Sequence, residues 1–280
     1  RRSLDAELAA QGVTGIAISG TRALTRHLRD RGAMRAAIST TTTNPDDLLP
    51  RVLASHGMAG ADLAREVSTP EPYTVRPPGG TPIRFRVAAV DLGIKASTPR
   101  RMGQRGCEVR VLPADATADQ ILAGSPDGVF FSNGPGDPAA AGYAVDALRG
   151  VLAAGTPVFG ICLGSQLLGR ALALDTYKLR FGHRGVNQPV MDLTTRRVYI
   201  TSHNHGFAVS PPGETRDQPF ETEFGRAVVS HLNLNDGVVE GVRLLDAPAF
   251  GVQYHPEAAP GPHDADDLFD EFCALMAAAG

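Results

Sequence analysis

Tryptophan is absent from this chain of 280 residues, and only 5 tyrosines, 5 methionines and 3 cysteines occur. Cysteines as far apart as Cys107, Cys162 and Cys273 cannot supply the disulfide framework of a small secreted domain. With no C-x-x-C pair, a zinc ribbon is not expected, and a reducing compartment, the cytosol, is. No run of about eighteen apolar residues offers a membrane span. The first residues lack the charged-then-apolar pattern of a signal peptide. The chain begins at Arg1 instead of methionine, as expected of an incomplete chain. A strong excess of either charge is missing too: the net charge of -3 gives no electrostatic footprint for nucleic acid. Basic residues do gather over residues 22–35, where they read as the solvated face of a helix in preference to an anion or partner site. A hydrophobic fraction of 42% and a charged fraction of 20% are those of a globular protein with room for one large domain or two smaller ones.

Residues 69–82, TPEPYTVRPPGGTP, are too rich in proline and glycine to sustain helix or sheet, and so mark a domain boundary. This divides the chain into residues 1–75, a partial amino-terminal domain, a linker over 76–83 and a main domain over 84–280. The first part holds a helix over 23–31 with Gly32 as its C-cap. The main domain alternates regularly. Strands are expected over 85–90, 108–112, 128–131 and 157–161. Helices are expected from Thr98-Pro99 to Gly106, over 118–122 and 143–154, and from about Ser165. Such alternation implies right-handed crossovers and an α/β fold with a mostly parallel central sheet covered by helices on both faces. Shorter additional strands, such as 197–201 and 227–230, follow between 190 and 252. A last helix over about 264–278 carries one apolar stripe of Leu268, Phe269, Phe272, Leu275 and Met276.

The segment PVFGICLGSQ over residues 157–166 carries the most chemistry. A buried strand runs into Gly160-x-Cys162-x-Gly164, and a helix starts at once. This is the nucleophile elbow with sulfur in place of oxygen. The helix N-terminus favours thiolate, and the Leu163 N–H is free for a developing oxyanion. A cysteine at a strand end also serves as a small core residue, so a partner base has to decide. His255, in Gln253-Tyr254-His255-Pro256-Glu257, follows an apolar stretch and sits where a strand leaves the sheet. Glu257 can hold the far ring nitrogen and stabilise imidazolium, the third role of a triad. Alone, His-Pro-Glu reads as a surface turn; with the elbow it reads as catalytic. The loop SNGPGDP over 132–138 follows another strand end and can present the Gly134 N–H as a second oxyanion donor, or merely cap the next helix. No G-x-x-x-x-G-K-[ST] run exists, so no nucleotide P-loop is expected. His203, His205, His255 and His263 lack H-E-x-x-H spacing and a placed acidic partner, so no metal is expected. Cys107 and Cys273 read as packing residues.

With these motifs in place, the chain resembles the small, glutaminase subunits of carbamoyl-phosphate synthases, a branch of the class I (triad-type) glutamine amidotransferases, which are flavodoxin-like. The elbow, the 132–138 loop and His-Pro-Glu are shared across the class. More selective are TRALT (21–25), YKLRFGHRG (177–185), NHGFAV (204–209), LNDG (234–237) and PEAAPGPHDA (256–265). The resemblance covers nearly the whole chain. It implies Cys162, His255 and Glu257 as catalytic triad and L-glutamine held by Gly134, Gly136, Leu163, Gln166, Asn204, Gly206 and Phe207. It implies no cofactor or metal in this chain, since ATP and magnesium belong to a large partner subunit that makes carbamoyl phosphate from bicarbonate for arginine and pyrimidine synthesis. No nucleic acid or membrane partner is implied. The family's amino-terminal domain has a larger first part than is present here, and that part normally gives one serine to the glutamine site. Ser19-Gly20 stands where the family has Ile-Asp, and Ser165 where it has His or Asn. Other readings of the same residues are the glutaminase of guanylate or anthranilate synthesis, a non-catalytic module derived from an amidotransferase, and a cysteine hydrolase of the α/β-hydrolase type.

Overall fold

The computed structural model describes residues 2–213, 218–259 and 261–280, so Pro260 of the PEAAPGPHDA motif lies outside the described residues. The chain forms two compact units that divide between Met58 and Ala59. The first holds helices α1 (Leu4–Ala10), α2 (Thr21–Arg31) and α3 (Pro45–Ala54). Helix α2 ends as its sequence requires: Gly32 takes φ +94° and its N–H returns to the Leu28 carbonyl. Arg22, Arg26, Arg29 and Arg31 are exposed along it.

The second unit begins with α4 (Ala64–Val67), β1 (Tyr73–Val75), β2 (Phe85–Asp91), α5 (Ser97–Gln104), β3 (Cys107–Pro113), α6 (Ala118–Leu122) and β4 (Gly128–Phe131). It continues through α7 (Gly142–Ala153), β5 (Val158–Ile161) and α8 (Leu163–Ala171) to β6 (Thr176–Asp192) and β7 (Val198–Val209). After these come β8 (Phe220–Thr222), β9 (Gly225–Asn233), β10 (Val239–Leu244), β11 (Ala249–Val252) and α9 (Asp267–Ala279). No helix among the described residues is long and apolar enough to cross a membrane.

The break between units lies ahead of the proline-rich segment because residues 59–82 are tied to the second unit. Ala64 is buried in its core, the Asp137 N–H donates to the Ala61 carbonyl, and Ser68 Oγ accepts from the Ala114 N–H. The segment expected to hold neither helix nor strand contains β1, which pairs antiparallel with β3. Only three residues pair, at the edge of the sheet, where flanking prolines such as Pro72 and Pro77 remove no ladder hydrogen bond.

Among the described residues eleven strands form one sheet in the order β1-β3-β2-β4-β5-β11-β10-β7-β6-β9-β8. Strands β3, β2, β4, β5 and β11 are mutually parallel. Counted among themselves they run 2-1-3-4-5, the flavodoxin-like order, whose carboxyl ends open a crevice at the reversal between first and third strands. The strands between β5 and β11 in sequence are antiparallel, and β7 and β9 are longer than expected. Residues 198–201 of the first expected stretch fall in β7 and 227–230 in β9; the β6–β7 hairpin pairs from Thr176↔Val209 to Met191↔Val198, with two register shifts on the way.

Helices cover both faces of the parallel sheet. On one, Val90, Phe131, Leu148, Val151, Leu163 and Leu167 interlock. On the other, Phe159 stacks on Phe250 at 4.5 Å and meets Phe130, Phe269 and Phe272 within 5.8 Å. The stripe of α9 is buried there through Leu268, Phe269, Phe272 and Met276, with Leu275 at its margin.

Candidate active site

Adjacent parallel strands bring the chemistry together: β2, β4, β5 and β11 all end in the same crevice. At the end of β5, Cys162 is the residue before α8 and takes φ +52°, ψ −103°. A side chain held in that region costs about 1–3 kcal/mol and persists only where its surroundings fix it. The fixing is visible. Cys162 N–H donates to the Val252 carbonyl at 2.8 Å, and Gly164 N–H to the Ser132 carbonyl at 3.1 Å. A Cβ on Gly164 would lie 2.1 Å from the Phe131 carbonyl oxygen, and one on Gly160 2.7 Å from the Gly164 carbonyl. Helix α8 begins at Leu163, earlier than the expected start at Ser165, so that the Leu163 N–H is a first-turn donor with no carbonyl four residues back inside the helix.

His255 follows β11, its N–H donating to the Ser202 carbonyl of β7 at 2.9 Å. Its Nδ1 lies 2.7 Å from Glu257 Oε1, and both side chains are buried. A carboxylate only accepts, so Nδ1 carries the proton, and Nε2 is the nitrogen left to deal with Cys162. Burial alone would lower the imidazole pKa; the neighbouring Cys162 charge and the bond to Glu257 outweigh it and push it up to about 10. Nε2 is buried with no hydrogen-bond partner among the described residues, and Cys162 acts on it as an adjacent charge. Glu257 is held below the ordinary carboxylate range: burial would raise it, but His255 and Lys95 prevail. Lys95 Nζ donates to Glu257 Oε1 at 2.9 Å and also stands 3.1 Å from His255 Nδ1.

The loop after β4 is locked against its neighbours. Ser132 Oγ accepts from the Leu92 N–H at 2.9 Å, and Asn133 Nδ2 donates to the Gly93 carbonyl at 3.0 Å. Gly134 admits no side chain, because a Cβ would stand 1.9 Å from the Leu92 carbonyl oxygen. Gly136 has φ +101°, and its Cβ would stand 2.7 Å from the Ala61 carbonyl oxygen. Gln166, on the first turn of α8, is buried and donates both amide protons, to the Phe207 carbonyl at 2.9 Å and to Gln253 Oε1 at 2.8 Å. Phe207 is buried, with the Lys178 ammonium 5.4 Å from its ring centre. Asn204 and Gly206 alternate with the buried His203, His205 and Phe207 along β7, and Asn204 is exposed.

The structure thus places Cys162, His255, Glu257, Gly134, Gly136 and Leu163 on neighbouring strand ends, and joins Gln166 to Phe207 directly. It adds Lys95 and Gln253, which the sequence reading missed. Lys95 stands four residues past the end of β2, and that position at a carboxyl edge was the available signal. The histidines sort differently from the expectation. His203 and His205 do face acidic side chains, through His183, Glu240 and Asp236, which β6, β10 and the β9–β10 turn carry to them.

The family model for class I glutamine amidotransferases matches residues 88–275. The chain is 61% identical over 277 residues to the carbamoyl phosphate synthase small chain of Streptomyces coelicolor, covering 98% of this chain and 72% of that one. It is 57% identical over 281 residues to the protein of the same description from Mycobacterium tuberculosis strain H37Rv, covering 99% and 74%. A Thermoplasma acidophilum protein of solved structure, provisionally described as one of the subunits of a GMP synthase, superposes with a TM-score of 0.58 at 17% identity, covering 70% of this chain and 95% of that one. That likeness is one of fold. The chain belongs to the class I glutamine amidotransferases and, within them, to the family of carbamoyl phosphate synthase small chains.

Proposed function

We propose that this glutaminase subunit hydrolyses L-glutamine at Cys162 and delivers ammonia to a large, ATP-dependent partner subunit for carbamoyl phosphate synthesis in the cytosol. One observation carries the reading: Cys162 is held at a strained strand–helix elbow beside an imidazole whose far nitrogen is bound to the buried Glu257. The raised pKa of His255 keeps it as imidazolium at neutral pH, the partner a thiolate needs.

Cys162 Sγ attacks the side-chain amide carbon of glutamine, and the carbonyl oxygen takes the negative charge. The N–H groups of Leu163 and Gly134 receive it, and the α8 dipole supports it. His255 Nε2 gives its proton to the amide nitrogen, the C–N bond breaks, and ammonia leaves a glutamyl thioester on Cys162. Water then loses a proton to Nε2 and attacks the thioester; the C–S bond breaks, and glutamate departs. Glu257 holds Nδ1–H throughout, and Lys95 holds Glu257 ionised. Gly136, Gln166, Asn204, Gly206 and Phe207 complete the glutamine site: the rigid bond of Gln166 to the Phe207 carbonyl fixes the segment carrying Asn204 and Gly206.

The test is Cys162→Ala in the complex with the large subunit. Glutamine-dependent carbamoyl phosphate formation is lost while synthesis from added ammonium continues. Undiminished glutamine hydrolysis in that variant overturns the assignment.

A further inference from the structure

Outside the catalytic triad, His183, His203, His205 and Glu240 form a buried cluster whose ligand-type atoms all lie within 4.8 Å of one another. The hydrogen bonds around it fix the protons. Thr201 Oγ1 gives its one proton to the Gln188 carbonyl at 2.8 Å, so at 2.7 Å from His203 Nε2 it can only accept. His203 therefore carries its proton on Nε2, and Nδ1 is bare. His205 Nδ1 stands 2.9 Å from the Phe207 carbonyl, which also only accepts, so Nδ1 carries the proton and Nε2 is bare. These two bare nitrogens face each other at 3.2 Å. Glu240 Oε1 lies 3.6 Å from one and 3.9 Å from the other.

Lone pairs turned on each other and on a carboxylate repel unless a cation stands among them. A proton is the simplest such cation, and burial opposes it. His203 and His205 are both buried, and Glu240 Oε1, at 3.6 and 3.9 Å, stands too far from the two bare nitrogens to accept a full hydrogen bond from either. The third histidine completes the set. His183 Nε2 stands 2.8 Å from Asp236 Oδ2, and its Nδ1 points to Glu240 Oε1 at 3.1 Å. Protonation of His183 would satisfy Glu240 Oε1 but leave the 3.2 Å pair of nitrogens uncompensated. Asn233 Nδ2 donates to the same Oε1 at 3.1 Å and stands 3.5 Å from His183 Nδ1, while the fully buried Glu240 Oε2 has no hydrogen-bond partner among the described residues.

Each imidazole therefore turns one nitrogen inward and gives the other to an oxygen: Asp236, Thr201 or the Phe207 carbonyl. That outer shell is how proteins orient metal-bound histidines. Tetrahedral zinc with bonds of about 2.0–2.1 Å sets its ligands roughly 3.3 Å apart; separations of 3.1, 3.2 and 3.6 Å in the cluster are close to that, and the remaining ones, 3.9 Å for His205 and Glu240 and all within 4.8 Å, have to contract on binding.

We propose that His183 Nδ1, His203 Nδ1, His205 Nε2 and a Glu240 carboxylate oxygen bind a divalent cation of the zinc class, fastening β6, β7 and β10 together. Four protein ligands leave no open position, so the site is structural. Its consequence for the neighbouring site is positional. His203 and His205 alternate with Ser202, Asn204 and Gly206, so a metal gripping one face of β7 steadies the other. Ser202 there accepts from the His255 N–H.

The experiment strips the 280-residue chain with a chelator, checks its fold by circular dichroism and titrates it with cobalt(II), then zinc. About one equivalent of cobalt binds and gives the visible bands of a four-coordinate ion, and zinc displaces it. His203→Gln and Glu240→Gln lose this binding. Asp236→Asn, half-exposed and outside the ligand set, weakens it about 10- to 100-fold, and so keeps the test decisive if the buried variants misfold. Folded protein that takes up no cobalt, or binding unchanged in all three variants, overturns the proposal. Nitrogen-15 shifts showing a proton shared between His203 and His205 in metal-saturated buffer also overturn it. Cys162→Ala binds the same equivalent, which separates this outcome from failure of the glutaminase reading.

Discussion

Replacing Glu257 by Gln keeps the shape of a side chain with no exposed surface and removes its charge. In the native protein Oε1 accepts from His255 Nδ1 at 2.7 Å and from Lys95 Nζ at 2.9 Å. The amide oxygen of Gln can still accept from both, and the ammonium of Lys95 favours the orientation in which oxygen, not NH2, faces them. The tautomer of His255 is therefore retained, and the ~10⁴-fold loss that accompanies a wrong tautomer in triads is not expected. A hydrogen bond to a charged group is worth about 1.5–3 kcal/mol and one between neutral groups about 0.5–1.5, so the bond to Nδ1 loses roughly 1–1.5 kcal/mol with the charge. At about 1.36 kcal/mol per pKa unit this lowers the His255 pKa by roughly 1 unit and reduces kcat/KM for glutamine roughly 10-fold. The double variant Lys95→Met/Glu257→Gln frees the amide to turn its NH2 toward Nδ1 and falls further, toward the ~10⁴-fold loss. The assay is glutamate release against pH for the wild type, both single variants and the double variant. The alkaline limb should move to lower pH in Glu257→Gln. An unmoved limb, or a double variant no worse than the single one, refutes the role given to Lys95 and Glu257.

Other perturbations test the surrounding construction. Cys162→Ala removes the charge that most raises His255, so its imidazole should titrate well below about 10 by proton NMR. Because the raised pKa adds stability that is complete below about pH 6.5 and lost as pH rises through about 10, that variant should also lose less stability on alkaline titration. Gly134→Ala forces a methyl to within 1.9 Å of the Leu92 carbonyl oxygen; urea unfolding should show a loss of about 1–3 kcal/mol together with impaired glutamine hydrolysis. Wild-type behaviour of that variant would falsify the close packing described for the loop. Phe159→Ala empties the centre of the aromatic cluster under α9 and should cost about 3–5 kcal/mol in the same measurement.

The sequence by itself determined those parts of the protein that are local. Gly160-x-Cys162-x-Gly164 requires a tight turn between a buried strand and a helix, and His255-Pro256-Glu257 places an imidazole and a carboxylate two residues apart. Alternating apolar runs and capped helices spell out the parallel sheet, because side-chain period and turn chemistry act over a few residues. Element edges, the strand inside the proline-rich segment and the length of the β6–β7 hairpin depended on pairing with distant strands, which no local pattern carries. The same holds for two clusters of side chains. Lys95 reaches Glu257 across 162 residues only because β2 and β11 end in one crevice. His203 and His205 share a face of β7 by the two-residue period, which is legible. That Glu240, His183 and Asp236 stand opposite them was decided by the strand order, for registry between β6, β7 and β10 is a property of the folded sheet and not of any one segment.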